Sequence, residues 1–326
     1  MKEIKWAVLG CGVIANEMAV ALQKNGKNIY AVGNRTHEKA AAFAEKYGIG
    51  KVYDDFHEMF TDPEVDVIYI TTPHNTHLGF MKEAIANGKH ILVEKSITLN
   101  SDELDEAIAL AKEKGVIIGE AMTIYHMPIY KELKKILDSG RLGRVNLITM
   151  NFGSFKEYNM KNRFFNRNLA GGAMLDIGVY ALSIVRSFLD EQPDEIVSQW
   201  KPSPTGSDEQ ATILLKNAQG QMATVALSMH SKQPKRAMIS LEKGYIEIME
   251  YPRADKAVIV DAESGAQTEI TAGDTADALY YEMQDMEQAV KSGDASAMQL
   301  AYSRDVMEIM TKLRKDWGMK YPGEAW

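Results

Sequence analysis

From residue 3 to about 120 the chain alternates short runs of aliphatic and β-branched residues with segments whose apolar positions recur at helical spacing. The strand-like runs are 4–9, 29–33, 65–70, 90–93 and 116–119. Between them, 38–47 and 101–114 carry Ala and Leu on one face and charges on the other. Ser101 opens the second of these helices, with Asp102 and Glu103 in its first turn and Leu104 turned inward. Strands separated by helices pair in parallel and are covered on both faces, so this half predicts a doubly wound α/β domain.

Beyond Pro128 the pattern changes. A helix over 129–138 leads through Gly140 and Gly143 into a strand at 145–152, and a second helix runs from near 175 to 189. Then come consecutive strand-like runs at 195–200, 211–215, 223–229, 237–241 and 245–249, with turn signals at 217–220 and Gly244. Strands without intervening helices imply an open, mostly antiparallel sheet, hence a second domain of α+β type. Helices at 276–291 and 298–317 close the chain. The expected division is 1–122 and 123–326.

Composition narrows this picture. At 326 residues and 45% hydrophobic, the chain can bury two cores and is not disordered. One cysteine excludes an internal disulfide and a cysteine-rich zinc site, and fits a reducing, cytoplasmic setting. Glycines break the apolar stretch of the N-terminus MKEIKWAVLGCG, which does not read as a leader. No apolar run approaches the roughly 20 residues of a membrane span. With 45 acidic against 37 basic side chains and no basic cluster interleaved with aromatics, neither nucleic acid nor membrane is an expected partner.

Gly10, Gly12 and Ala15 form G-x-G-x-x-A between the first strand and a helix opened by Val13 and Ile14. Gly10 permits the tight turn, Gly12 lets the backbone approach a pyrophosphate, and Ala15 allows close helix–sheet packing. The free N–H groups and dipole of the helix favour the anion. Cys11 inside this loop serves through small size. At the end of the second strand, where an acid would bond a ribose hydroxyl, stand Asn34 and Arg35; a guanidinium there favours NADP, with NAD the alternative. Thr71, Thr72, Pro73 and His77 follow the strand at 65–70 and are expected to line the cofactor trough, although capping of the next helix by Asn75 or Thr76 explains this loop equally well. His74 and His77 lack a partner set for a metal, and none is expected.

Two further motifs bear chemistry: Glu94-Lys95-Ser96 at a strand end, and Gly171-Gly172-Ala173-Met174-Leu175-Asp176-Ile177-Gly178-Val179-Tyr180. Four apart on a helix, Asp176 and Tyr180 project from one face. With these residues the chain resembles the glucose-fructose oxidoreductase/inositol dehydrogenase/rhizopine catabolism family over nearly its whole length. The resemblance implies a Rossmann domain followed by a domain whose open sheet mediates homo-oligomerisation, as dimer or tetramer. It also implies that Glu94 and Lys95 contact the cofactor, and that Lys95, Asp176 and Tyr180 surround the nicotinamide. Ser96 departs from the proline usual after the lysine. Tyr180 replaces the histidine of many members, and with residues 163–170 is similar to the dihydrodiol dehydrogenase-like branch.

Moving a hydride to or from a CH–OH carbon requires a group that exchanges the hydroxyl proton. Lys and Tyr, both with ordinary pKa values near 10, are protonated at neutral pH and suit carbonyl reduction. The favoured assignment makes Tyr180 the proton donor and acceptor, Lys95 the group that lowers its pKa and bonds the substrate oxygen, and Asp176 the orienting acid. The roles of Lys95 and Tyr180 can also be exchanged. Arg163 is either a substrate contact or a surface ion pair, and Tyr125 and His126 read as core packing. The expected activity is hydride transfer on a sugar, cyclitol or trans-dihydrodiol. A non-catalytic dinucleotide sensor is the alternative, while Tyr180 disfavours a redox-assisted glycosidase.

Overall fold

The computed structural model describes residues 3–324 and 326, so Met1 and Lys2 of the N-terminal stretch lie outside the described residues, as does Ala325. The chain divides into two compact units. The first runs to Met122 and takes back Ala276–Leu300; the second comprises Thr123–Thr275 and Ala301–Trp326.

In the first unit, strands β1 (Trp6–Leu9), β2 (Ala31–Gly33), β3 (Lys51–Val52), β4 (Val67–Ile70), β5 (His90–Glu94) and β6 (Ile118–Ala121) form one parallel sheet. Its order is β3-β2-β1-β4-β5-β6, the doubly wound arrangement expected. Helices α1 (Val13–Lys24), α2 (His37–Tyr47), α3 (Glu58–Thr61), α4 (His77–Ala86) and α5 (Ser101–Lys114) connect the strands. Val8, Val32, Ile68, Ile70, Ile91 and Val93 are completely buried, which is why these strands read as continuous apolar runs rather than alternating ones. The cap of α5 is Asn100, one residue before the expected start: its side chain accepts from Glu103 N–H at 2.9 Å while Glu103 accepts from Leu99 N–H at 2.9 Å.

The boundary expected at 122/123 omits the return of 276–300. The helix Ala278–Ser292 buries Leu279, Met283, Met286 and Ala289 in the same core as Trp6, Met18 and Leu22. Glu287 accepts from the Trp6 indole at 3.3 Å, and Asp277 from Asn25 at 2.9 Å. An apolar helix face from the far end of the chain thus completes the first unit's core.

The second unit holds an eight-stranded sheet of β7 (Val145–Gly153), β8 (Glu195–Pro202), β9 (Asp208–Lys216), β10 (Met222–Ser228), β11 (Gln233–Leu241), β12 (Gly244–Met249), β13 (Lys256–Asp261) and β14 (Gln267–Thr271). The order is β14-β13-β12-β11-β7-β10-β9-β8, antiparallel except where β7 meets β10. β13 and β14 exceed the sequence expectation. β14 is an edge strand with Ile270 its one large aliphatic residue, so it carries no alternating signal.

Short helix α6 (Thr123–His126) precedes α7 (Pro128–Asp138), and α8 (Val179–Phe188) packs on one face of the sheet against β7, β10 and β11. Ile148, Met150, Val225 and Ile239 of the sheet and Leu182, Ile184 and Val185 of α8 are all buried. The opposite face presents Leu147, Val197, Leu214, Met222 and Met249, between 39% and 65% exposed. Against the expectation that no run is long enough, 167–188 matches a membrane span in length and apolarity. Most of it is buried inside this unit, so its apolarity belongs to a core helix.

Candidate active site

The glycine motif folds as a cradle at the carboxyl ends of β1 and β4, where the strand order reverses. Gly10 takes φ +108°, and a Cβ there would lie 2.5 Å from Thr71 Oγ1. Its N–H donates to Gly33 O at 2.9 Å, and Thr71 donates to Leu9 O through its N–H at 2.9 Å and its hydroxyl at 3.0 Å. The loop is thereby pinned to three strand ends. Gly12 occupies the N-cap of α1, and a Cβ there would meet no atom within 4 Å. No side-chain hydrogen bond caps this helix and no acid stands in its first turn, so nothing there competes with an anion for its dipole, and the space beside Gly12 is open. Ala15 is fully buried, whereas Val13 is exposed. These residues fit a dinucleotide pyrophosphate.

Beside the loop, Asn34 Nδ2 turns back to Thr36 O at 2.9 Å, and Arg35 is exposed. Burial pushes the Cys11 thiol up to about 11, opposed by the charge of Lys39, so it remains protonated and inert.

The segment around Lys95 is held from several directions. His74 Nε2 meets Lys95 O at 3.0 Å, Glu120 accepts from Ile97 N–H at 3.0 Å, and the Lys95–Ser96 peptide bond is cis. The Tyr69 phenol donates to Glu94. His77 corrects an expectation. Instead of lining the cofactor trough, its imidazole is fully buried, with Nδ1 at 3.1 Å from Ser96 O and 3.2 Å from Ile97 O, and Nε2 at 2.8 Å from Thr72 O. Desolvation lowers its pKa, although the surrounding carbonyls favour the cation. His77 therefore ties the end of β4 to the lysine segment. Thr76 does not cap α4 through its side chain; its hydroxyl lies 2.8 Å from that of Thr72.

In the second unit the helix bearing Asp176 and Tyr180 opens as a π turn over Met174–Gly178 and becomes α-helical at Val179. Such wide turns occur often at functional sites. Asp176 is mostly buried and accepts from Arg163 Nη1 at 3.2 Å. Arg163 also covers the Phe164 ring at 4.4 Å. Tyr180 lies with its ring 6.2 Å from that of Phe152. The glycine pair before this helix is imposed by crowding: a Cβ on Gly171 would lie 2.3 Å from Arg163 O, and one on Gly172, at φ +138°, 2.0 Å from Asp208 Oδ1. Tyr125 and His126 are buried on α6, where Tyr125 donates to Ser183 at 3.0 Å, as the packing expectation has it.

Sequence reasoning missed Glu120 and Asp208, and gave His74 no role. Each acts on backbone or helix ends remote in sequence, and no local motif marks them.

A family model described as an oxidoreductase family with NAD-binding Rossmann fold matches residues 4–122, and the GFO/IDH/MocA C-terminal domain matches 130–247. The protein belongs to this family. Trans-1,2-dihydrobenzene-1,2-diol dehydrogenase of Xenopus laevis is 30% identical, covering 98% of this chain and 99% of that protein; the Mus musculus protein of that name is 27% identical over 98% of each. Among solved structures, a 3-ketoreductase from Actinomadura kijaniata in complex with NADP and TDP-benzene superposes with a TM-score of 0.85 at 22% identity, covering 96% of this chain and 98% of that one. An Agrobacterium radiobacter oxidoreductase holding NAD+, L-tartaric acid and magnesium gives 0.80 at 18% identity, covering 95% and 94%. At these identities the structures speak for the fold. Family membership makes the protein an NAD(P)-dependent oxidoreductase.

Proposed function

We propose that the protein transfers a hydride between NADP(H) and a CH–OH or carbonyl group of a sugar, cyclitol or trans-dihydrodiol. What carries the assignment is the cradle at Gly10 and Gly12, open above an uncapped helix N-terminus. Arg35, exposed at the end of β2 with no acid beside it, supports the 2′-phosphate form of the cofactor. The relatives named dihydrodiol dehydrogenases support the substrate class. Bound nicotinamide supplies the hydride acceptor or donor. Tyr180 then exchanges the hydroxyl proton, and the Lys95 ammonium lowers the Tyr180 pKa and bonds the substrate oxygen. Asp176, steadied by Arg163, orients a second hydroxyl.

A panel of sugars, polyols, dihydrodiols and dicarbonyls, followed at the nicotinamide absorbance with NADP(H) and NAD(H), tests this. Turnover is expected with at least one class. Lys95→Met and Tyr180→Phe should each lose about a hundredfold in turnover while retaining cofactor binding. Binding without turnover across the panel would move the protein to the sensor class, and tenfold tighter NAD(H) than NADP(H) would overturn the role of Arg35.

We also infer a homo-oligomer, dimer or tetramer, through the open face of the sheet. The exposed apolar side chains Leu147, Val197, Leu214, Met222 and Met249 share that face and support it. Light scattering should report an oligomer that Val197→Lys with Leu214→Lys dissociates; a monomeric parent protein would refute it.

A further inference from the structure

We propose that Asp208 is a positioning residue for the reaction: its buried carboxyl group fastens the first turn of the helix that carries Asp176 and Tyr180 and fixes how those side chains are presented. The proposal rests on the reading of Asp176 and Tyr180 as site residues. Asp208 begins β9 and is completely buried. Its Oδ2 accepts from the N–H of Met174, the first residue of the π turn, which would otherwise be an orphan donor. Oδ1 faces the neighbouring glycine so closely that any Cβ at 172 would collide with it, and makes no hydrogen bond among the described residues. One carboxyl group thus meets both the first donor of the π turn and the residue two positions before it.

The same turn is gripped from another side. Tyr321 donates from its hydroxyl to Gly171 O at 3.1 Å, and Arg314 and Glu324 hold the segment that carries Tyr321 through bonds of 2.7 and 2.9 Å. The charged and titratable groups acting on Asp208 are Arg314 from the terminal helix Leu300–Asp316 and Tyr321 from the segment after it. Burial outweighs the help of the Met174, Asp208 and Ala173 N–H groups and of Arg314, and pushes the carboxyl up to about 7. A buried acid with an unbonded oxygen is an expensive way to fill space. What it supplies in return is a short acceptor at one defined point beneath the helix end.

The test compares substitutions at 208 with Tyr180→Phe, assayed well below each variant's melting midpoint. Asp208→Ala should lower kcat about tenfold or more, with cofactor Kd within about twofold, because the cradle lies in the other unit. Asp208→Asn keeps the acceptor and the length, and should restore kcat to within about threefold. Asp208→Glu keeps the carboxyl group but lengthens the arm toward Gly172, and should fall with the alanine variant. A kcat within twofold for Asp208→Ala despite a lowered melting midpoint would make the residue merely structural and overturn the proposal. If the alanine variant does not fold, the Asn and Glu variants decide: Glu near the parent and Asn low would show that the acid group matters rather than its placement, and overturn it too. Should Tyr180→Phe itself retain kcat, the site reading fails independently of Asp208; a fall at Tyr180 without one at Asp208 defeats this inference alone.

Discussion

The segment carrying Lys95 and the helix carrying Asp176 and Tyr180 are held by contrasting means. Around Lys95 the grips come from neighbouring elements and reach the segment's own backbone: His74 from the loop after β4, His77 from the start of α4, Glu120 from β6. An imidazole held neutral by burial is the keystone there. Under the Asp176 helix the grips come from far along the chain, with the Asp208 carboxyl at its first donor and an Arg314–Glu324 ion pair, 0% and 1% exposed, securing Tyr321. Backbone-directed bonds spread their worth over several carbonyls, and losing one partner leaves the others. A buried ion pair concentrates its worth, because removing one charge strands the other.

The largest expected effect follows from that concentration. Arg314 makes a bidentate pair with Glu324 and lies between the Tyr321 ring at 4.7 Å and the Trp326 ring at 4.9 Å. Arg314→Met should destabilise the protein by about 3–5 kcal/mol, whereas His77→Ala, which leaves carbonyls without a donor, should cost about 1–3 kcal/mol. Adding Glu324→Gln to Arg314→Met should recover part of the loss by removing the stranded charge. Denaturant unfolding of the four proteins measures this. A loss at His77 equal to that at Arg314, or no recovery in the double variant, would break the contrast.

The same difference decides what the sequence reveals. Gly10, Gly12 and Ala15 act within six residues of one another at a strand-to-helix turn, so spacing alone conveys the cradle. Gly171 and Gly172 stand out as a pair, yet the reason for the second is an oxygen on Asp208, 36 positions away, which no local pattern announces. His77 is visible as a histidine near the cofactor edge, but its direction into the core depends on carbonyls of residues 96 and 97. Helical periodicity finds the helix over 175–189 without its opening π turn, since the apolar spacing of the two differs little over five residues. The return of 276–300 to the first unit is hidden for the same reason as Arg314: amphipathic helices announce that they pack, not against what.

A smaller effect sharpens the contrast by its sign. Buried Asp208 keeps its proton up to about 7, while an unfolded chain releases it near the ordinary 3.8. Between those values the unfolded state binds fewer protons, so this residue's contribution to stability falls as pH rises. His77 runs the other way. Burial lowers its pKa from 6.5, the unfolded chain takes up a proton that the native state refuses, and stability falls as pH drops below 6.5. Each slope is bounded at about 1.4 kcal/mol per pH unit. Relative to the parent, Asp208→Asn should therefore gain stability as pH rises from about 4 to 7, and His77→Gln should gain as pH falls below about 6.5. Hydrogen bonds lost in either variant shift the curves without tilting them, so the slope isolates the titration. Melting at about pH 4.5, 6 and 8 reads both slopes, and two differences tilting the same way would mean that the buried groups are not the ones titrating.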